Sequence, residues 1–237
     1  MDHRTAIAEK GFTVINDVFD TAAVAALITC IENADTVKDT FHQTKDLFAI
    51  RQFFKEVPAT LPLVFVPALQ QVINTLFGHG YHVVKSIYFD KPGGSNWFVA
   101  YHQDLTISVK EKTVVEGYGP WTVKQGQYAV QPSLQVLENN FTIRIHLDDT
   151  DENNGALRVI PGSHLKGIYR PETIDWGKEV EETCAVQKGS LMIMRPLLLH
   201  ASSRTTNQRP RRVIHVEFSS QELPLPLRWS ERVSLPG

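Results

Sequence analysis

The chain has 237 residues, 42% hydrophobic and 21% charged, with a formal charge of −2, enough for one well-buried domain of ordinary globular composition. That near-neutral balance argues against a general binder of phosphate backbone, which needs a strong basic excess. The two cysteines, Cys30 and Cys184, make no disulfide framework, and neither the start Met1-Asp2-His3-Arg4 nor any later run has the apolar length of a signal segment or a membrane span. The expectation is a soluble, cytoplasmic protein with a small-molecule substrate, no nucleic-acid partner and no membrane partner, its oligomeric state left open.

The first third reads as helical. Asp20-Thr21 is a cap, followed by Val24, Leu27, Ile28 and Ile31 at three- and four-residue spacing. Leu47, Ile50 and Phe54 suggest a shorter helix that ends before Pro58. A third helix starts near Pro67, with Leu69, Val72, Ile73 and Leu76 on one side and Gly78 as its stop.

From Tyr81 the texture turns to short β-type runs. Val83–Phe89 is rich in β-branched and aromatic residues and breaks at Lys91-Pro92-Gly93-Gly94. Trp97–Asp104 is the next extended stretch, and Thr106–Gln135, with Gly117, Gly119, Pro120, Gly126 and Pro132, reads as a long excursion over one mouth of the domain. Strands are expected at Phe141–Leu147, Ala156–Ile160, Cys184–Gln187, Leu191–Met194, Leu197–Ala201 and Val213–Phe218, with an acidic turn from Asp148 to Asn154. Many short strands with regular turns give a mainly β fold with N-terminal helices, a cupin-like jelly roll. One domain is expected over 1–237, with a helical layer over 1–80, the jelly-roll core over 81–220 and a tail over 221–237.

His102-Gln103-Asp104 is the first candidate for chemistry. In a strand, residues two apart point to the same side, so the imidazole and the carboxylate can meet one cation. A second imidazole from the run Arg195-Pro196-Leu197-Leu198-Leu199-His200 completes two histidines and one carboxylate, the facial set of non-haem Fe(II) oxygenases. Spacing alone leaves a rival open: His146-Leu147-Asp148 has the same form, although the acidic residues after it fit a solvated turn. Arg211, eleven positions after His200, enters a β-run. Its guanidinium matches a carboxylate in two-point geometry, or else Arg211 and Arg212 are edge charges that discourage aggregation. His215 shares the face of Arg211.

Together, Lys91-Pro92-Gly93, Trp97, His102-Gln103-Asp104, His146-Leu147-Asp148-Asp149, Asn154-Gly155-Ala156-Leu157, Pro161-Gly162-Ser163-His164, His200 and Arg211 resemble the phytanoyl-CoA dioxygenase family. The likeness runs from Gly11-Phe12 to Leu225-Pro226-Leu227-Arg228-Trp229, and bacterial members are the most similar. It implies a double-stranded β-helix and a dioxygenase that uses Fe(II), 2-oxoglutarate and dioxygen to hydroxylate a small molecule, with release of succinate and carbon dioxide. His102, Asp104 and His200 are then the iron ligands, and Arg211 with Ser202 holds the distal carboxylate of 2-oxoglutarate. Gln103 lines the same pocket by this likeness. Arg144 stands where a relative has tryptophan against the cosubstrate, a departure that leaves it to the cosubstrate or to an acidic substrate. His146-Leu147-Asp148 and His164 become architectural. Relatives that halogenate lack the carboxylate ligand, so Asp104 implies hydroxylation.

Trp97, Tyr101, Trp121 and Arg195 are candidates for substrate contact, or core residues. Arg204, Arg209 and Arg212 either meet an acid at the rim or form a solvated loop. Two other functions stay open: a cupin-like metalloenzyme that uses no 2-oxo acid, and a jelly-roll binding module without catalysis.

Overall fold

In the computed structural model the described residues are 1–34, 41–46, 48–124 and 126–235. Helix α1 (His3–Glu9) begins at Asp2, whose carboxylate accepts from the Thr5 amide, and strand β1 (Phe12–Ile15) follows it. Helix α2 (Thr21–Glu32) is capped by Asp20, which accepts from the Ala23 amide at 2.7 Å, and it buries Val24, Leu27 and Ile31, the stripe its spacing predicts. Strands β2 (Phe41–Gln43) and β3 (Phe48–Arg51) and the one-turn helices α3 (Phe53–Glu56) and α4 (Leu61–Val64) lead to α5 (Pro67–Phe77), which starts on proline and stops at Gly78.

The helix expected from Leu47, Ile50 and Phe54 is therefore not one helix. Ile50 lies in β3 and Phe54 in α3, while Leu47 lies outside the described residues. Gln52, at φ 51°, breaks the chain between them, and Ala49 and Ile50 are both buried, as in a strand covered on two faces. The first eighty residues thus add three strands to a major sheet as well as a helical cover.

The remaining elements are β4 (His82–Lys91), β5 (Val99–His102), β6 (Ile107–Val109), β7 (Trp121–Lys124), β8 (Gln127–Val130), α6 (Leu134–Asn139), β9 (Phe141–His146), β10 (Leu157–Val159), β11 (Glu182–Cys184), β12 (Leu191–Met194), β13 (His200–Ser202), β14 (Arg211–Ser219) and β15 (Val233–Ser234). The major sheet has the order β1-β12-β9-β14-β4-β3-β2, with β15 on β4, and the minor sheet β11-β10-β13-β5. All these pairings are antiparallel. The fold is mainly β, a jelly roll under N-terminal helices.

Alternation divides the major sheet into two faces. Ile143 and Ile145 of β9, Leu191 and Ile193 of β12, and Ile214, Val216 and Phe218 of β14 pack in one core with Leu27, Phe53, Phe54, Leu69 and Ile73 from the helical side. The alternate residues of the same strands, Met192 and Met194, face Leu157, Val159 and Leu198 of the minor-sheet side. Farther along this inner face stand Arg144, His215 and Arg211. The segment expected as an excursion contains the three-stranded sheet β6-β8-β7, whose core includes Leu223, Leu227 and Trp229 from the C-terminal region.

Phe218 is fully buried, stacked on Phe141 at 4.8 Å and edge-on to Phe65 at 6.4 Å. Phe218→Ala removes the ring that joins helices to sheet and is expected to cost about 3–5 kcal/mol. Thermal unfolding followed by circular dichroism should drop by roughly 10 °C in a chain of this size.

Candidate metal centre

Two strands of the minor sheet create the centre. β13 and β5 are paired so that His200 stands directly opposite His102, and the register then slips so that Ser202 meets Val99. Asp104 follows just beyond β5, its amide donating to the Pro196 carbonyl at 2.9 Å. One ligand-type atom each from His102, Asp104 and His200 lies within 4.8 Å of the others. The two rings are 4.2 Å apart, and each Nε2 is 3.9 Å from one oxygen of Asp104, too far for a hydrogen bond.

The imidazoles are oriented from behind. Nδ1 of His102 is 2.9 Å from the Ala100 carbonyl, and Nδ1 of His200 is 2.9 Å from the Leu198 carbonyl. Each Nδ1–H therefore donates to main chain, and each Nε2 turns its lone pair toward Asp104. Oδ2 of Asp104 is buried without a hydrogen-bond partner. Burial opposes its ionisation, but His200, Lys85, His215 and His102 outweigh it and hold the carboxyl well below the usual range. Two imidazoles anchored through Nδ1 and a carboxylate with an unpartnered oxygen suit a divalent first-row metal.

Above this trio lies a cavity of about 290 Å³ lined by Arg51, Phe89, Trp97, Val99, Arg144, Leu157, Ala201, Ser202, Arg211 and His215 as well as the three ligand-type residues. Among the described residues its lining carries three arginines and one carboxylate, that of Asp104. Arg211 is 3% exposed and donates through Nη1 to the Gly155 carbonyl; among the described residues its Nε has no partner, and neither has the buried Oγ of Ser202 in the same lining. Burial, then Arg144, pushes the Arg211 guanidinium down to about 9, and burial brings Arg144 to about 10. Lys91, paired with Arg211 in the β14–β4 register, is buried, donates to the Ser203 carbonyl at 2.6 Å, and is pushed down to about 8 by burial and Arg211. Gly155 permits this packing: at φ 84° it passes so close that a Cβ would sit 2.8 Å from both Lys91 Nζ and the Ser203 oxygen. Buried cations without a carboxylate are costly; an anionic ligand with a planar acid group satisfies them.

Other residues expected at the site are elsewhere. Gln103 points away, as alternation requires: its Nε2 donates to the Gly167 and Leu197 carbonyls and its Oε1 accepts from the Tyr169 amide. Placing it in the cavity is corrected to a strut between β5 and two turns. Trp121 packs in the β6-β8-β7 core, and Arg195 lies over Phe77 and donates to the Glu138 and Asn140 carbonyls. Tyr101 faces outward to Trp176 and the Glu181 carboxylate. Of the four aromatic and cationic candidates for substrate contact, Trp97 alone lines the cavity.

The rival motif is structural. His146 is buried with Nδ1 2.9 Å from Thr150 Oγ1, and Asp148 accepts from the amide, Nε and Nη2 of Arg212. Arg211 and Arg212 are not edge charges, because β14 lies inside the major sheet. Arg209 pairs with Asp151, and Arg204 lies over Phe98 at 5.1 Å. His164 is fixed against the Ala8 carbonyl and Gly11. Arg51 and Phe89 also line the cavity, and no sequence motif marks either; Arg51 sits opposite Ile87 on β4, inside the stretch whose spacing suggests a helix.

Burial holds several imidazoles neutral. His200 is pushed down to about 4, His146 far below its ordinary value, and His82, His164 and His215 are lowered too, with burial the first cause in each. Between an unfolded value of about 6.5 and these folded values the unfolded chain binds more protons, so stability rises with pH in that window. The urea midpoint of the metal-free protein is expected to hold above neutrality and to fall steadily from about pH 6.5 toward pH 5.

The sequence model of the family described as "Phytanoyl-CoA dioxygenase (PhyH)" matches residues 7–213. The mouse protein "Phytanoyl-CoA dioxygenase, peroxisomal" is 29% identical over 92 residues, 32% of this chain and 27% of that one, so the match spans about a quarter of that relative. Among solved structures, EctD from S. alaskensis with 2-oxoglutarate and 5-hydroxyectoine is 19% identical, with a TM-score of 0.69 over 91% of this chain and 74% of that one. The non-haem alpha-ketoglutarate-dependent carbocyclase SnoK from nogalamycin biosynthesis is 16% identical, with a TM-score of 0.67 over 91% and 82%. These likenesses show the shared fold. Among the described residues no single helix is long and apolar enough to cross a membrane.

Proposed function

The chain belongs to the phytanoyl-CoA dioxygenase family, and from that membership we propose an Fe(II)- and 2-oxoglutarate-dependent oxygenase that hydroxylates a C–H bond of a small organic substrate, releasing succinate and carbon dioxide. The observation that carries this reading is the convergence of His102, Asp104 and His200 beside a buried, carboxylate-free Arg211 in one cavity. Iron with the 2-oxo acid supplies the oxidising chemistry at coordination positions that three protein ligands leave free.

The chain's own residues do the positioning. His102 and His200 present Nε2, and Asp104 presents its unpartnered oxygen. Arg211 and Ser202 receive the far carboxylate of the 2-oxo acid, with Lys91 supporting the charge from behind. Phe89, Trp97, Val99 and Leu157 form the apolar part of the wall and keep water from the reacting carbon. Asp104 fills the ligand position that a halide would need, which supports hydroxylation. The fold does not choose among oxidations, since SnoK is a carbocyclase.

The test is anaerobic addition of Fe(II) and 2-oxoglutarate to the full chain, followed by air. A visible charge-transfer band and then succinate, read by NMR, are expected. A protein that binds Fe(II) but gives neither band nor heat with 2-oxoglutarate sinks the proposal in favour of a metalloprotein without a 2-oxo acid.

A further inference from the structure

Arg144 is a cation of this cavity to which the reading above gives no task. It lies in β9 opposite His215 of β14 and is 6% exposed. Its Nη1 is 3.1 Å from Nδ1 of His215, whose Nε2 is 3.3 Å from Glu217 Oε1, which in turn meets Lys85 Nζ at 2.6 Å. Since a guanidinium only donates, His215 accepts at Nδ1 and donates at Nε2, so its ring is neutral. Glu217 is already matched by Lys85. Among the described residues the charge of Arg144 therefore has no carboxylate in hydrogen-bond contact, and its Nε is buried with no partner.

Position adds the rest. Atoms of His215 and Asp104 lie within 4.8 Å of one another, so Arg144, bonded to His215, enters the cavity at the depth of the metal centre. Arg211 enters four residues farther along β14, roughly 13 Å of strand. Among the described residues, the guanidiniums of Arg144 and Arg211 alone already outnumber the one carboxylate of the cavity lining, that of Asp104. A divalent metal and a doubly charged 2-oxo diacid leave that lining with positive charge in excess. A planar fork that is desolvated, aimed into a cavity and held by a neutral ring is suited to a planar acid group.

We propose that Arg144 is a second carboxylate-binding residue of this cavity, separate from Arg211, taking an acid group at the depth of the metal centre that belongs either to the 2-oxo acid or to the substrate. The inference rests on the oxygenase reading, and the two fail differently.

The experiment uses the full chain with Fe(II) under argon, as wild type, Arg144→Met, Arg144→Lys and Arg211→Met. Calorimetry measures 2-oxoglutarate binding, and shifts of the visible band of the ternary complex report binding of propionate and phenylacetate against their amides. If the group is the cosubstrate's, Arg144→Met weakens 2-oxoglutarate by about tenfold or more, and Arg144→Lys recovers part of it. If it is the substrate's, Arg144→Met keeps 2-oxoglutarate and erases a preference of about tenfold or more for an acid over its amide, which Arg144→Lys partly keeps. Wild-type 2-oxoglutarate binding in Arg144→Met, with no acid over its amide preferred in wild type, overturns the inference while the oxygenase stands. Absence of 2-oxoglutarate binding in the wild type overturns the oxygenase reading itself. Should Arg144→Met not fold, Arg144→Lys carries the test, because it keeps the charge and loses the fork.

Discussion

Replacing Arg211 with methionine is expected to raise the dissociation constant for 2-oxoglutarate by about two orders of magnitude or more, the usual scale for removing one partner of a buried charge pair. The direction of the second effect separates binding from scaffolding. In the ligand-free protein the Arg211 guanidinium is buried and contacts one carbonyl, and Arg144 and Lys91 stand close enough to shift or be shifted by its charge. Taking it away relieves repulsion among buried cations, so the apo variant should unfold no lower than wild type, and Lys91 should titrate higher once the Arg211 charge is gone. Lysine at 211 keeps the charge but not the two-point fork, so it is expected to restore only part of the affinity. Thermal unfolding with and without 2-oxoglutarate measures both effects. A normal apo midpoint with no shift on adding the acid is the expected signature; a variant that loses several degrees in the apo form yet still binds would make Arg211 a structural residue.

The chemistry of the centre was more legible than its walls, for a physical reason. His102, Asp104 and His200 carry their meaning in residue type and in period-two spacing, which a strand converts directly into a shared direction. The same rule applied to Gln103 puts it on the opposite face, where the structure has it bonding to main chain; the family likeness had placed it in the pocket against that alternation. Arg51 was hidden because Ile50 and Phe54 are four apart, a helical interval, and nothing local announces the break at Gln52. Trp121 lies on the expected excursion and Arg195 just before His200, but sheet pairing takes one to the β6-β8-β7 core and the other to Phe77. Strand pairing across a hundred residues is non-local, and proximity along the chain says little about it. Buriedness was the other missing quantity. Arg211 and Arg212 look alike in sequence, yet one is carboxylate-free in a cavity and its neighbour is neutralised by Asp148 on the opposite face of β14.

Removal of one imidazole should have the largest consequence for metal. His200→Ala is expected to lower Fe(II) affinity by at least about a hundredfold, since losing a group that merely orients a metal ligand typically costs 10–100-fold, and to abolish the anaerobic band with 2-oxoglutarate. His200 is the sharper choice over His102 because it is 5% exposed and cannot be replaced by a side chain swinging in from solvent, whereas the His102 side chain is 41% exposed. The apo fold should survive the change. His200 spends its Nδ1–H on a carbonyl two residues back, and its ring is held neutral at a cost that alanine does not bear, so apo stability near pH 5 should fall less steeply in the variant than in wild type. Asp104→Asn keeps the shape and removes the charge, and is expected to weaken the metal and to lower apo stability at neutral pH, because the neighbours that hold this carboxyl below its usual range lose their counter-charge. Equilibrium dialysis with Fe(II) under argon, beside urea titrations of the apo proteins at pH 7 and pH 5, separates the two effects. An His200→Ala protein that retains wild-type Fe(II) affinity and an unchanged band would take the distal imidazole out of the ligand set and leave His102 and Asp104 without the partner that β13 brings to them.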